Sequence, residues 1–255
     1  MYITSYALYF YTPENYAEWR GKSDLEDRVS VLLTGNYLIK NENYEKMKIK
    51  VCGIANNRNL SEIALLQPDY MGFVFYPGSP RDVTVTIGQL QLSAIPPAIK
   101  KTAVMVDRPL QEVPDLIRRH GFDAVQLHGD EEPDYCRELM NHCEVIKAFR
   151  IADSLPSDIG LYEGNCNYFL FDARGKYHGG NSIKFNHAIL EGYGLSTPFF
   201  LSGGIGDTDL EYLRTVDISG MYGVDVNSRF EISPGYKSVK SLRQFIAGLR
   251  TKLNS

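Results

Sequence analysis

The 255-residue chain carries a formal net charge of −4, with its lysines and arginines spread along it; the absence of a basic stripe argues against a nucleic-acid partner. No apolar run reaches the ~18 residues of a membrane span, and the Tyr-rich start, Met1–Pro13, lacks the early positive charge and apolar core of a secretory signal. The four cysteines, Cys52, Cys136, Cys143 and Cys166, show no CxxC spacing, so neither a zinc site nor a disulfide framework is indicated and the cytoplasm is the default compartment.

Residues 1–46 are rich in Tyr, Asn and charge and give no strand–helix pair. Met47, a second start-like residue, stands directly before the first clear strand. The expected organisation is an N-terminal extension over 1–46, poorly packed or foreign to the native protein, followed by one catalytic domain over 47–255. That length suits a single α/β barrel.

From Met47 onward, eight short apolar runs recur: Lys48–Cys52, Tyr70–Phe75, Thr102–Val106, Asp123–Leu127, Val145–Phe149, Tyr168–Phe171, Pro198–Leu201 and Met221–Val226. Each is followed by a helix-like stretch, and their starts lie about 20 to 30 residues apart, the length of one strand–loop–helix–loop unit. The first run alternates polar and apolar residues and breaks at Gly53, and Asn56–Gln67 then places Leu60, Ile63, Ala64 and Leu66 at helical spacing. Run two is nearly continuous in apolar residues, as strands covered on both faces are. The loop after it, Tyr76 to Arg81, contains two prolines and a glycine, which stiffen it at low entropic cost.

Run three ends at Asp107, and Val113–His120 reads as its helix. Run four meets His128-Gly129-Asp130, and the next helix begins near Glu131-Glu132-Pro133, with acid and proline at its start. Run six stops at Asp172 and run seven at Ser202-Gly203-Gly204; run eight leads into Asn227-Ser228-Arg229, then Pro234-Gly235. A final helix carries Val239, Leu242, Phe245, Ile246 and Leu249 on one face. Eight such units predict a closed (β/α)8 barrel of parallel strands, whose chemistry gathers at the carboxyl ends of the strands.

Those ends hold the candidate residues. Cys52 has two readings: a small buried hydrophobe, or a thiol tuned from its ordinary pKa of ~8.5 into a base. Asp172 either caps a neighbouring loop or faces a cavity between apolar walls as a general acid. Runs one and six lie on well-separated parts of the ring, so Cys52 and Asp172 can flank one substrate, and a paired base and acid is what an aldose–ketose rearrangement requires. Arg81, in its stiff loop, suits a carboxylate clamp because a guanidinium donates two parallel hydrogen bonds. Backbone N–H groups at Gly203-Gly204 and near Ser228 can converge on a phosphate, with a short helix after strand eight adding its N-terminus and Gly179-Gly180 a third side. His128 receives no catalytic role.

These segments resemble phosphoribosylanthranilate isomerase, an enzyme family of tryptophan biosynthesis, from about Met47 to the C-terminus. The motifs that carry the resemblance, all in family order, are Lys50-Val51-Cys52-Gly53-Ile54; Gly72-Phe73-Val74-Phe75-Tyr76-Pro77 with Ser79 and Arg81; Val125-Gln126-Leu127-His128-Gly129; Phe171-Asp172; Gly179-Gly180; Leu201-Ser202-Gly203-Gly204; and Asp225 through Glu231 with Pro234-Gly235. The resemblance implies an Amadori rearrangement of N-(5-phosphoribosyl)anthranilate, with Cys52 as general base, Asp172 as general acid and Arg81 on the anthranilate carboxylate. Phosphate is then expected on Gly179, Gly180, Gly203, Gly204, Asn227 and Ser228. It implies no metal or organic cofactor, a small phosphorylated substrate as the partner, and a monomer or homodimer. One departure stands out: the family usually has Ser-Ser-Gly after the strand-eight aspartate, where this chain has Asn227-Ser228-Arg229. If that turn needs a positive φ, Arg229 is strained.

Two rivals remain at this level. Indole-glycerol-phosphate synthase resembles the fold but uses lysine and glutamate for ring closure. A phosphate-binding barrel that has lost catalysis would not need Cys52, Asp172 and Arg81 together.

Overall fold

A computed structural model describes residues 47–173 and 186–251. The expectations for residues 1–46 and for the Gly179-Gly180 turn therefore fall outside the described residues. The eight apolar runs form β1 (Lys48–Val51), β2 (Tyr70–Phe75), β3 (Lys100–Met105), β4 (Ala124–Leu127), β5 (Glu144–Ile151), β6 (Tyr168–Ala173), β7 (Phe199–Leu201) and β8 (Met221–Val226). Neighbouring strands pair in parallel, and β8 pairs back onto β1, so the sheet closes into a barrel. Closure leaves no exposed edge.

The crossovers depart from the expected uniform pattern. Four contain α-helices, α1 (Asn57–Ala64), α2 (Val113–His120), α3 (Pro133–Leu139) and α4 (Leu210–Thr215), and α5 (Val239–Arg250) follows the last strand. After β2, β5 and β6 the described connections hold only 3-10 turns, at Ile87–Gln89, Leu92–Ala94, Ile159–Tyr162 and His187–Gly192. Prolines bound or interrupt the first two of these connections, and Gly88, Gly160, Gly192 and Gly194 punctuate the three, which disfavours helix propagation there. Where helices do form, local signals explain their ends. The Asn56 side chain caps α1 by accepting from the Asn59 amide, one residue inside the expected start. In α2, Pro114 sits in the first turn, Arg118, Arg119 and His120 in the last, and Gly121 ends the helix at φ 64°, all as the helix dipole and the left-handed cap favour.

Strand alternation divides the core into two sets of side chains. Ile49, Val51, Met71, Phe73, Val125, Phe169, Phe171, Val224 and others form one large buried cluster that includes helix residues Leu60, Leu242 and Phe245. The opposite face of the strands fills the barrel interior. Tyr70, Ile146, Ala148, Leu170 and Phe200 form one apolar group there, and Cys52, Val74 and Val104 another. Lys50, Thr102, Gln126 and Asp225 are also buried, and their positions in the alternation place them on the same interior face. Beyond β8 the chain makes a small antiparallel hairpin of β9 (Glu231–Ser233) and β10 (Tyr236–Lys237) before α5. No helix among the described residues is long and apolar enough to cross a membrane.

Candidate active site

The carboxyl ends of the strands surround one cleft, of about 640 Å³ including its open mouth, lined by Cys52, Arg81, Asp172, Gly203, Gly204, Asn227 and Ser228. The structure thus brings together every expected site residue that lies within the described part of the chain. Cys52 follows β1 directly, and its amide donates to the Val226 carbonyl of β8. Its side chain is buried. Burial pushes the thiol pKa up; the Lys50 ammonium pulls it back, Asp225 adds to the rise and Lys237 opposes it.

Asp172, one residue before the end of β6, is also buried. Its Oδ1 accepts from the Ala173 amide at 3.0 Å, and its Oδ2 lies 3.4 Å from His128 Nε2. Gln126 Nε2 stands 2.9 Å from His128 Nδ1. The imidazole is thus held between the Gln126 amide on one side and the Asp172 carboxyl on the other. The Oε1 of Gln126 is buried without a hydrogen-bond partner.

Arg81 is more constrained than its loop implied. The loop is pinned by Arg81 N donating to Ser79 Oγ at 3.1 Å. The guanidinium then grips Glu231 of β9 with two parallel bonds, Nε to Oε1 at 2.8 Å and Nη2 to Oε2 at 2.6 Å. Glu231 Oε1 also accepts from Lys237 Nζ at 2.7 Å, and Lys237 Nζ reaches Asn227 Oδ1 at 2.5 Å. Burial alone would raise the Glu231 pKa, but the Arg81 hydrogen bonds and Lys237 outweigh it and hold the carboxyl below its usual range. Two of the five guanidinium N–H donors are spent on Glu231, which leaves the remaining edge of Arg81 for the expected carboxylate.

The turns expected to hold phosphate also differ in detail. Gly203 and Gly204 have φ of 89° and 69°, a region open to glycine at little cost. A Cβ on Gly203 would stand 2.8 Å from the Ala173 amide nitrogen, so the turn packs against the end of β6. The expected helix after β8 is a single 3-10 turn, Ser228–Phe230, cut short because the chain turns at once into β9. The Asn227 side chain is a strut for Lys237 rather than a free ligand arm. Arg229 is not strained: among the described non-glycine residues, positive φ occurs at Gln67 and Asp107. Its aliphatic stem packs over Gly206, where an added Cβ would meet Arg229 Cβ at 3.2 Å, and the residue lines the cleft.

In the sequence His128 reads as a residue that orients a neighbour or lines the cavity, without a catalytic role; Gln126, Lys50, Asp225, Glu231 and Lys237, which lie in or against the cleft, were not singled out. The signal for Lys50 was present. It alternates with Ile49 and Val51, and in a closed barrel that period sends a lysine into the interior, where it needs a counter-ion. Among the described residues no group of three His, Cys, Asp or Glu side chains is placed to hold a metal ion.

Comparison with known proteins agrees with this geometry. A family model described as N-(5'phosphoribosyl)anthranilate (PRA) isomerase matches residues 49–248. The N-(5'-phosphoribosyl)anthranilate isomerase of Parabacteroides distasonis is 38% identical over 205 residues, covering 78% of this chain and 92% of that protein. Among solved structures, phosphoribosyl anthranilate isomerase from Thermus thermophilus superposes with a TM-score of 0.66 at 26% identity, covering 80% of this chain and 98% of that one. A phosphoribosyl anthranilate isomerase in complex with reduced 1-(o-carboxyphenylamino)-1-deoxyribulose 5-phosphate does so with a TM-score of 0.65 at 26% identity and the same coverage. With its barrel matched almost end to end, the chain belongs to the N-(5'-phosphoribosyl)anthranilate isomerase family.

Proposed function

We propose that Cys52 and Asp172 carry the proton transfers by which this chain, an isomerase of tryptophan biosynthesis, converts N-(5'-phosphoribosyl)anthranilate to 1-(2-carboxyphenylamino)-1-deoxyribulose 5-phosphate. The observation that carries the reading is the convergence of a buried thiol from β1 and a buried carboxyl from β6 on one cleft. Asp172 gives its proton to the furanose ring oxygen, the C1–O bond breaks, and the anilino nitrogen takes up the positive charge as an iminium. The iminium acidifies C2, and the Cys52 thiolate removes that proton. The resulting enolamine gains a proton at C1 and loses the hydroxyl proton at C2, leaving the ketone. No atom is gained or lost overall, as an isomerisation requires.

The remaining groups hold the substrate still, so that entropy already lost on binding lowers the entropic part of the activation barrier. The free edge of Arg81 takes the anthranilate carboxylate. The backbone at Gly203, Gly204 and Ser228 takes the phosphate, with Gly179 and Gly180 as its third side on the strength of the sequence motif. His128, held in place by Gln126, positions Asp172. This division of labour fits isomerisation better than the ring-closing or non-catalytic readings, because the cleft holds a base and an acid together with an anion site at each end.

Single substitutions test the roles. Cys52→Ser and Asp172→Asn should each lower kcat by about 10²- to 10⁴-fold while affinity for the reduced product analogue changes little. Wild-type kcat in either variant overturns that residue's assignment.

A further inference from the structure

We propose that the Lys50 ammonium is the fixed positive charge that makes Cys52 usable as a base, with Asp225 as its anchor. The inference deepens, and rests on, the reading of Cys52 as the proton acceptor. Lys50 is fully buried. The β1–β8 register sets Lys50 beside Asp225, and its Nζ lies 2.8 Å from Asp225 Oδ1. The other oxygen of that carboxylate, Oδ2, accepts from Ser202 Oγ at 3.2 Å. Lys50 Nζ and Cys52 Sγ meet over the bare Cα of Gly72. A Cβ there would stand 2.8 Å from the sulfur and 3.2 Å from the nitrogen.

A buried lysine–aspartate pair is poor evidence for stability, since its attraction barely offsets the desolvation of two charges. An apolar pair would serve the core of the barrel as well. Placing the pair against the thiol gives it a task. Burial works against the Lys50 charge, but Asp225 and Cys52 more than compensate and hold it protonated above the ordinary lysine range. Lys50 is therefore not itself the base. Lys237 also favours the thiolate and Asp225 opposes it; the other ionisable groups lining the cleft are Tyr76, which packs against the Cys52 cluster, and Arg81, His128, Asp172 and Arg229. Of the two lysines, Lys237 is already tied to Glu231 and Asn227. The nearer and less committed charge is Lys50.

The test reads the thiol directly. Burial pushes the other thiols, Cys136, Cys143 and Cys166, up as well, so the Cys52→Ser variant supplies the blank, and iodoacetamide alkylation of the wild type minus that of Cys52→Ser, followed across pH, reports Cys52 alone. In the full chain, Lys50→Met should move the alkylation midpoint at least about one pH unit higher, which is tenfold less thiolate at fixed pH. The acid limb of kcat/KM should move with it. Lys50→Arg should keep the wild-type midpoint. If Lys50→Met does not fold, the charge-free pair Lys50→Met with Asp225→Asn removes the stranded carboxylate and should still raise the midpoint. An unshifted midpoint in the folded variant overturns the proposal. A shifted midpoint alongside full turnover in Cys52→Ser would leave the charge coupling standing and overturn the base reading on which its catalytic use rests.

Discussion

Arg229 stands where the family's turn usually has a glycine, and its surroundings say what the exchange does. The backbone there needs no positive φ, so glycine's freedom is not required and the change carries no strain. Its stem instead covers Gly206 and its charge is added to the rim of the cleft that Gly203, Gly204 and Ser228 also line. Arg229→Gly should therefore raise KM and the inhibition constant for inorganic phosphate about fivefold, equivalent to about 1 kcal/mol of lost attraction, with kcat little changed. The effect should shrink in high salt. A kcat loss at constant KM would mean that Arg229 acts on the reacting carbons instead. At this scale the sequence was informative where a residue ends a strand: Cys52, Asp172, Gly203 and Gly204 were legible because the barrel rule alone sends strand ends to the site. It was silent on Arg81's partner, because Glu231 lies 150 residues away and nothing local marks the pair.

The β9–β10 hairpin is the element that ties the Arg81 loop to the turn after β8. Through Glu231 it holds Arg81, and through Lys237 it holds Asn227. Pro234-Gly235 was visible in the sequence as a turn, but the hairpin's role was not, since it depends on where ring closure leaves the end of β8. Glu231→Gln keeps the shape and removes the charge that sits between two cations. Breaking a buried pair in this way should cost about 3 kcal/mol of stability by urea unfolding at pH 7. It should also raise KM, as removing the guanidinium in Arg81→Met should, because Arg81 loses its fixed orientation. The pH dependence follows from the sign of the shift. The Glu231 carboxyl is held below its ordinary value, so its contribution is complete above the unfolded value of ~4.3 and is lost as pH falls through the lower folded value. The gap between wild type and Glu231→Gln should thus be widest at neutral pH and narrow in acid. A gap independent of pH would mean that the ion pairs contribute nothing and the packing everything.

At the scale of the whole molecule, the strand count, order and closure were readable because parallel strands covered on both faces leave continuous apolar runs at a regular interval. The crossovers were less so. Three of them lack an α-helix among the described residues, and short apolar patches between prolines and glycines look alike whether they end as helix or as 3-10 turn. The matched portion of the chain begins at residue 49, and β1 closes the ring by pairing with both β2 and β8. Every group assigned to chemistry or binding lies after Met47. We therefore propose that residues 1–46 are dispensable to both fold and reaction, since a barrel with its own complete core is a unit that folds alone. A chain starting at Met47 should unfold in one cooperative transition at the same midpoint as the full chain, and a fluorescence assay following loss of N-(5'-phosphoribosyl)anthranilate should give the same kcat and KM. A lowered unfolding midpoint in the shortened chain would show that the first 46 residues support the barrel. A raised KM at unchanged stability would show instead that they reach the substrate.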